Sequence, residues 1–562
     1  VLESASVWRS RLPAIVLALT AVVAIVTIAA ATGLSSGLVS PATATPNGPA
    51  TFVHETASGV ESIYDGDWPF VVGGGVAILD CDHDGLPDLY VAGGERPATL
   101  YRNESEVGGP LRFAAVPGAA TDMAGVTGAY PLDIDADGAV DLAVLRLGEE
   151  VILRGEGDCR FGGANEELGV FGHEGLTTAF SATWEGSNEL PTLAFGNYAG
   201  IAPDGDWDQT CIDGQLIRPD PAGAAYATPT ALSPTWCTLS MLFSDWDRSG
   251  RRDLRVSNDR HYYDDRGDGG EQLWRIEPGS PPRPYSQDEG WATLRLWGMG
   301  IASHDLTGDS FPEVYLTSQA DNKLQTLAVG PDRPEYHDIA LRSGVTAHIP
   351  FTGGETLPST GWHDEFDDVN NDTFMDLFVA KGNVDEVPDY AMKDPSNLFL
   401  GQADGTFRES ADVAGVLSYD RARGAGVADL NGDGMLDLVV VNRRAPAKVW
   451  RNVGTGSADA PMQIGRWLAV ELSQPGPNRD AIGAWVTVRV GDRIVEREVT
   501  VGGGHASGQL GPIHFGLGTA DRADVRVQWP DGEVGPWQPV DADRRVTIQR
   551  GGEPREWTPP EA

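Results

Sequence analysis

Positive charge is scarce in this chain. Forty-one Lys and Arg stand against 82 Asp and Glu, a formal net charge of −41 over 562 residues. Such a surface repels phosphate backbones, so nucleic acid is excluded as a partner. Cysteine is limited to four residues. The ten histidines are scattered, and no two share a metal-ligand spacing on a strand. Helical patterns are few. Seventy Gly and 38 Pro favour turns and short strands, and an apolar content of 41% is enough for a packed core.

Charge is also missing from Leu12 to Leu34, 23 residues that follow Arg9 and Arg11. A bilayer-spanning helix needs about 20 apolar residues, and a signal-peptide core has about 7–15. Ala42-Thr43-Ala44 resembles a small-residue cleavage site, but it lies past the apolar run. The expectation is a single N-terminal hydrophobic helix that anchors the chain in a membrane, with a cleaved signal as the alternative. The arginines keep the short end inside. Both readings export everything after residue 45, as a membrane-anchored or secreted extracytoplasmic protein. Export gives Cys81, Cys159, Cys211 and Cys237 an oxidising space. Of the three pairings, Cys211 with Cys237 closes a local Pro- and Gly-rich insertion and is preferred; Cys81 with Cys159 follows.

What the chain has in quantity is one acidic pattern. Asp429-Leu-Asn-Gly-Asp-Gly-Met-Leu-Asp437 puts oxygen-bearing side chains at the first, third, fifth and ninth places, Asp429, Asn431, Asp433 and Asp437, with Gly434 at the sixth. Hard oxygen ligands on alternate residues around a bend suit Ca²⁺. The pattern recurs at Asp80, Asp82, Asp84 and Asp88; at Asp133, Asp135, Asp137 and Asp141; and at Asp245, Asp247, Ser249 and Asp253. Two more copies are Asp305, Thr307, Asp309 and Glu313, with Ser310 at the bend, and Asp368, Asn370, Asp372 and Asp376, with Thr373 there. A decayed position with Trp184, Gly186, Asn188 and Thr192 is expected to hold no metal. An EF-hand would need a bidentate Glu at the twelfth place. That place holds Val91, Val144, Val256, Leu316, Val379 or Val440, each within an expected strand, so each loop joins two strands.

The first places fall at 80, 133, 184, 245, 305, 368 and 429. A period of about 50–60 residues marks a propeller or solenoid. Each unit offers about four strands, such as Gly424–Ala428, Leu438–Val441, Val449–Asn452 and Thr406–Arg408. Four-stranded units repeated radially give a β-propeller. The expected fold is therefore all-β, a seven-bladed propeller over 46–455 behind a signal or anchor segment at 1–45. Alternating apolar residues in Trp467–Leu472, Trp485–Val490 and Val525–Trp529 predict a separate, small β-sandwich-like domain at 464–550. A disordered tail is expected at 551–562.

The strand-loop-strand units, Gly298-Met-Gly-Ile-Ala302 into Asp305 and Gly424-Ala-Gly-Val-Ala428 into Asp429, resemble FG-GAP/VCBS repeats, the calcium-loop blades of integrin α-subunit propellers. Asn478–Ala484, Gly502-Gly503-Gly504, His514–Gly518 and Trp529–Gly532 resemble the ASPIC/UnbV domain. That layout resembles the cartilage acidic protein family. The resemblance implies an extracellular calcium-binding protein and makes the 24 residues above calcium ligands, with Ser310 and Thr373 departing from the usual glycine.

Two functions follow as expectations. One is a binding, adhesion or scaffold module whose propeller face engages a protein, glycan or cell-surface polymer. The other is an exported enzyme with a site in the central channel. Gly504-His505-Ala506-Ser507-Gly508 superficially resembles a nucleophile elbow but lacks the central Ser of G-x-S-x-G, and reads as a glycine-rich turn. His261 with Tyr262, Tyr263, Asp264 and Asp265 reads as a solvated loop, and Arg266-Gly267-Asp268 as chance. The sequons at Asn103 and Asn371 read as incidental.

Overall fold

The computed structural model describes residues 48–170, 175–200, 210–259, 269–346 and 357–558. The uncharged run at 12–34, the His261 cluster and Arg266-Gly267-Asp268 lie outside the described residues. Among the described residues no helix is long and apolar enough to cross a membrane.

The structure is all-β apart from short helical turns. Seven four-stranded antiparallel groups succeed one another among the described residues, the second and third joined into one eight-stranded sheet where Gly175 and Leu176 pair with Gly148 and Leu147. Their first strands are Val76–Leu79, Val126–Leu132, Gly175–Thr183, Thr238–Ser244, Gly298–His304, Gly361–Asp367 and Arg421–Ala428. Each first strand neighbours the next in chain order, and the last also lies beside the first. The seventh unit borrows its outer strand from the other end of the chain. Phe52–His54 pairs antiparallel with Arg451, Trp450 and Asn452 of Lys448–Asn452, and Arg451 Nε holds Glu55 Oε1 at 2.7 Å.

The first strands are rich in small residues because they crowd together. A Cβ on Gly300 would lie 2.1 Å from Asp364 Oδ1 of the next unit. Larger residues fill the spaces between units: Phe52, Leu398, Val416 and Trp450 form one such cluster. Both expected disulfides form, Cys81–Cys159 and Cys211–Cys237, the kind of cross-link that persists in oxidising compartments.

After the seventh unit come two more four-stranded sheets. One is built around Arg466–Ser473, Ile513–Gly518 and Arg544–Gln549; the other around Trp485–Val490, Arg493–Glu498 and Arg522–Gln528. Leu468, Val486, Phe515 and Val525 pack between them, and the same apolar cluster continues into Tyr315 and Phe366 of the array. The region expected as a small β-domain is thus a pair of four-stranded sheets that also shares an apolar cluster with the array. Of the stretch expected as a tail, residues 551–558 are described. Arg555–Glu556 pairs with Val546 and Thr547, and the Trp557 N–H donates to Arg545 O at 2.9 Å.

A loop of the C-terminal region, residues 499–511, runs through the centre of the array. Gly508 and Gln509 pair in parallel with Ala77 and Ile78 of the first unit. Tyr130 of the second donates to Gly503 O at 3.2 Å. Ser181 of the third donates to Val501 O at 2.6 Å. Gly503 N and Gly504 N donate to Met241 O and Ile301 O of the fourth and fifth, at 2.7 and 2.8 Å. His505 N donates to His363 Nδ1 of the sixth at 3.1 Å. Gly424 of the seventh lies so close that its Cβ would be 2.4 Å from Ser507 Oγ. Three glycines are required here because Gly502, Gly503 and Gly504 all have positive φ, 123°, 79° and 53°, a conformation other residues resist.

Where the first strands begin, Val71 and Val72 pack with Leu176, Leu239, Met299 and Trp362 beside the Cys211–Cys237 bridge. Buried Arg423 fixes this segment, donating to Val71 O at 2.8 Å. Residues 499–511 thus occupy the axis, where the alternative reading places an enzymatic site, and with first-strand residues such as Ile78, Leu242 and Ile301 they line a cleft of about 410 Å³. His505 is buried there against Trp362, ring centroids 5.0 Å apart, and accepts from Gly73 N at 3.2 Å.

Two predictions follow from this packing. Phe52→Ala should cost about 3–5 kcal/mol by truncating a buried aromatic, read from the denaturation midpoint. Burial, then the charge of Arg423 and His363, lowers the His505 pKa from 6.5 to about 3. Its folded-state pKa is thus depressed, so its contribution is complete above about pH 6.5 and is lost as pH falls toward 3. In that window the chain should lose about 1.4 kcal/mol per pH unit more than a His505→Gln variant, measured by denaturation at each pH.

Candidate metal centres in the first turns

All six acidic patterns occupy the same structural place, the turn between the first and second strands of a unit. The expected twelfth-place residues lie in the second strands, Val91 in Asp88–Val91 and Val440 in Asp437–Arg443. The turns share one hydrogen-bond plan. The first-place Asp accepts from the sixth-place N–H: Asp80 from Gly85 at 2.9 Å, Asp133 from Gly138 at 3.1 Å, Asp245 from Gly250 at 3.0 Å. Asp305 accepts from Ser310 at 2.8 Å, Asp368 from Thr373 at 2.6 Å and Asp429 from Gly434 at 2.8 Å. The ninth-place carboxylate folds back onto the second-place N–H in five turns: Asp88 on Cys81, Asp141 on Ile134, Glu313 on Leu306, Asp376 on Val369 and Asp437 on Leu430, at 2.8–3.0 Å. In the sixth, Asp253 accepts from Trp246 Nε1 instead, at 2.9 Å.

These bonds hold the carboxylates close together. One ligand atom each from Asp80, Asp82 and Asp88 lies within 4.8 Å of the others, and the same is true of Asp133, Asp135 and Asp141. Asp80 Oδ1, Asp133 Oδ1 and Asp245 Oδ1 are buried with no hydrogen-bond partner. That is the same atom at the same place in three turns. An unsatisfied buried carboxylate oxygen is costly, so the donor set fits an oxygen-seeking cation. Burial first, then neighbouring carboxylates, raises Asp88 to about 8, Asp141 to about 7 and Glu313 to about 7. Asp376 and Asp437 are pushed well above their ordinary range for the same reasons.

The turns differ in how far arginine already offsets their charge. Arg102 and Arg154, from the third strands of their units, reach Asp82 and Asp135 at 3.0 and 2.6 Å. Arg251 grips Asp253 at 2.9 Å and Asp247 at 3.5 Å. The sequence reading missed these arginines. Arg102 and Arg154 lie about 20 residues downstream of the carboxylates they meet, and only strand pairing joins them. At the decayed third turn, Glu185 accepts from Thr192 Oγ1 at 2.6 Å and from Arg218 Nε at 2.6 Å. Arg218 is there the counter-charge.

Ser310 and Thr373 take the glycine conformation, with φ of 72° and 78° against 80° at Gly434. The substitutions therefore keep the bend. Both sequons are used internally: Asn103 Nδ2 donates to Leu430 O at 2.7 Å and Asn371 Nδ2 to Gly434 O at 3.0 Å. Between the array and the C-terminal sheets lies a cleft of about 410 Å³ lined by Asp364, Glu365, Glu496, Trp485 and Trp557, among others. Both carboxylate oxygens of buried Asp364 lack a hydrogen-bond partner.

Residues 474–555 match the family model described as ASPIC and UnbV, and residues 80–144 and 368–440 match the FG-GAP-like repeat. The matches fall on the C-terminal sheets and on the first, second, sixth and seventh units. Cartilage acidic protein 1 of Mus musculus is 25% identical over 193 residues, covering 33% of this chain and 27% of that protein. The Homo sapiens protein is 27% identical over 203 residues, covering 33% and 26%. The chain thus spans about a quarter of the length of these curated relatives. Among solved structures, the Dos1 propeller aligns with a TM-score of 0.33 and 11% identity, over 73% of this chain and 95% of that one. The calcium structure of a Trichoderma reesei family AA12 protein aligns at 0.34 and 11%, over 64% and 98%.

The left-handed Thr373 yields a prediction. Thr373→Gly removes a penalty of about 1–2 kcal/mol, against about 0.5–1 kcal/mol of added chain entropy, so stability should rise slightly. Gly434→Thr should do the reverse and by more, because its Cβ would lie 1.8 Å from the Trp467 ring. Thermal melts of both variants check this.

Proposed function

We propose that the FG-GAP-like repeats and the ASPIC/UnbV domain together form an exported, calcium-braced, seven-bladed β-propeller that serves as an extracellular binding or scaffold module. The observation that carries the calcium part is the orphaned first-place oxygen, Oδ1 of Asp80, Asp133 and Asp245. Six turns of one plan, each with four oxygen-bearing side chains at the first, third, fifth and ninth places, would each hold one ion. The residues that would hold it are the 24 named above; bound, the ion supplies charge neutralisation and a rigid turn. The two disulfides support an oxidising exterior.

The binding part is supported by what fills the axis. With residues 499–511 inside it, the axis still opens on the cleft of about 410 Å³, lined by that loop, by first-strand residues and by the C-terminal sheets, a volume within the range of small-ligand sites. The partner is a protein, glycan or cell-surface polymer engaged there or on the outer loops. The cleft lining also includes Ser507 and His363, whose Nε2 meets Glu365 Oε2 at 3.4 Å; the match to FG-GAP-like repeats favours binding over catalysis.

Extracellular modules bind calcium with a dissociation constant of about 10⁻⁴–10⁻³ M. At about 1 mM calcium each turn then adds about 0.4–1.4 kcal/mol. The expected outcome is five or six ions per chain by titration calorimetry and a melting temperature many degrees higher with calcium than with chelator. Asp80→Ala, which removes the orphaned oxygen, should lower the stoichiometry by one. No bound ions and no shift would sink the calcium reading.

A further inference from the structure

The acidic turns have a second side. Their odd places, the first, third, fifth and ninth, carry the oxygens that face an ion. Their even places meet the C-terminal domain, which also reaches one first place, Arg479 Nε lying 3.7 Å from Asp133 Oδ2. Gly85, sixth in the first turn, gives its carbonyl to Arg545 Nη1 at 2.7 Å, and Trp557 packs where its Cβ would be. Ala136, fourth in the second turn, gives its carbonyl to Arg479 Nη1 at 3.3 Å. Arg248, fourth in its turn, lies 3.8 Å over the Trp485 ring, and Arg252, eighth, donates to Pro530 O at 3.0 Å. Thr373, sixth in the Asp368 turn, gives its carbonyl to Arg493 Nε at 2.8 Å, and Asn371, fourth, meets His514 Nε2 at 2.6 Å. Gly434, sixth in the last turn, lies under Trp467. Five of the six turns are seats for this domain.

We propose that cation occupancy of these turns sets the docking of the C-terminal domain, so that calcium latches residues 499–511 into the axis of the array. The inference rests on the calcium reading. Its sign comes from charge and geometry. The Asp80 and Asp133 turns each hold four carboxylates; without a cation their repulsion opens the bend and moves the even-place carbonyls off their arginines. One divalent ion fixes the bend and still leaves each of these turns negative, so Arg545 and Arg479 keep their attraction. The ion and the domain therefore favour the same loop conformation. Linkage makes the effect reciprocal: removing the arginines must weaken calcium.

The test is hydrogen exchange on the full chain, with calcium and with chelator, beside calcium calorimetry on the chain and on two variants, Arg493→Ala/Arg545→Ala and Arg479→Ala. The second variant alters a half-exposed side chain and spares the core. Chelation should speed exchange at Gly503, Gly504 and Leu510 at least tenfold, while the second-strand amides Leu438–Val441 stay protected. Each variant should bind calcium about fivefold or more weakly at the turns it touches. Ions bound with unchanged protection of the loop and unchanged variant affinities would overturn the latch and leave the calcium reading intact. Equal loss of protection everywhere would also overturn it, since calcium would then act on the whole fold. Absence of bound ions would bring down the calcium reading itself, a separate result.

Discussion

Seven first strands converge on one axis, and that convergence sets the terms for everything else. Backbone crowded so tightly has donors and acceptors that water reaches poorly, and buried polar groups left unpaired are costly. The loop at 499–511 supplies those partners. It donates to Met241 O and Ile301 O and accepts from Tyr130 and Ser181. The glycines on both sides follow from this. A Cβ on Gly75 would lie 1.7 Å from Ala506 O, and one on Gly128 would lie 2.1 Å from it. Gly75 and Gly128 are thus fitted to a residue more than 370 positions away in the chain.

The acidic turns solve a different problem with the same economy of length. Nine residues alternate between two duties because an extended or tightly turned backbone sends successive groups to opposite sides. The carboxylates turn inward on one another, and burial raises Asp80 and Asp433 to about 6. The carbonyls and bend residues turn outward to arginine, histidine and tryptophan from the C-terminal sheets. A domain otherwise attached through a short connection, Val453 to Gly465, gains a broad seat on the array.

Local patterns were legible in the sequence and distant partnerships were not. The turns could be read because their evidence is local: alternate oxygens, a bend and an apolar run occupy one window. The four-strand period was legible for the same reason, since Leu100–Asn103 and Val449–Asn452 repeat one signal in different units. Asp364 carries no local signature; its neighbour Gly300 belongs to another unit. Gly504-His505-Ala506 reads as a turn and is one. Its role depends on Gly73, Trp362 and His363, which no window around it contains. The ordered end at Arg555–Trp557 was hidden by its Pro and Glu content, because its hold on the fold is a strand pairing with Val546 and Thr547.

The borrowed outer strand bears on the order of assembly. Phe52–His54 emerges early and must wait for Lys448–Asn452 before it has a partner. The seventh unit therefore stays open until residues 448–452 have been made. Residues 499–511 come later still. Since the axial space has to admit them, the ring is built around a vacancy that only this later loop fills. Contacts this far apart in sequence are slow to form. An unsealed ring exposes strand edges meanwhile. The chain is thus committed to a period of vulnerability during synthesis, ended when residues 499–511 arrive.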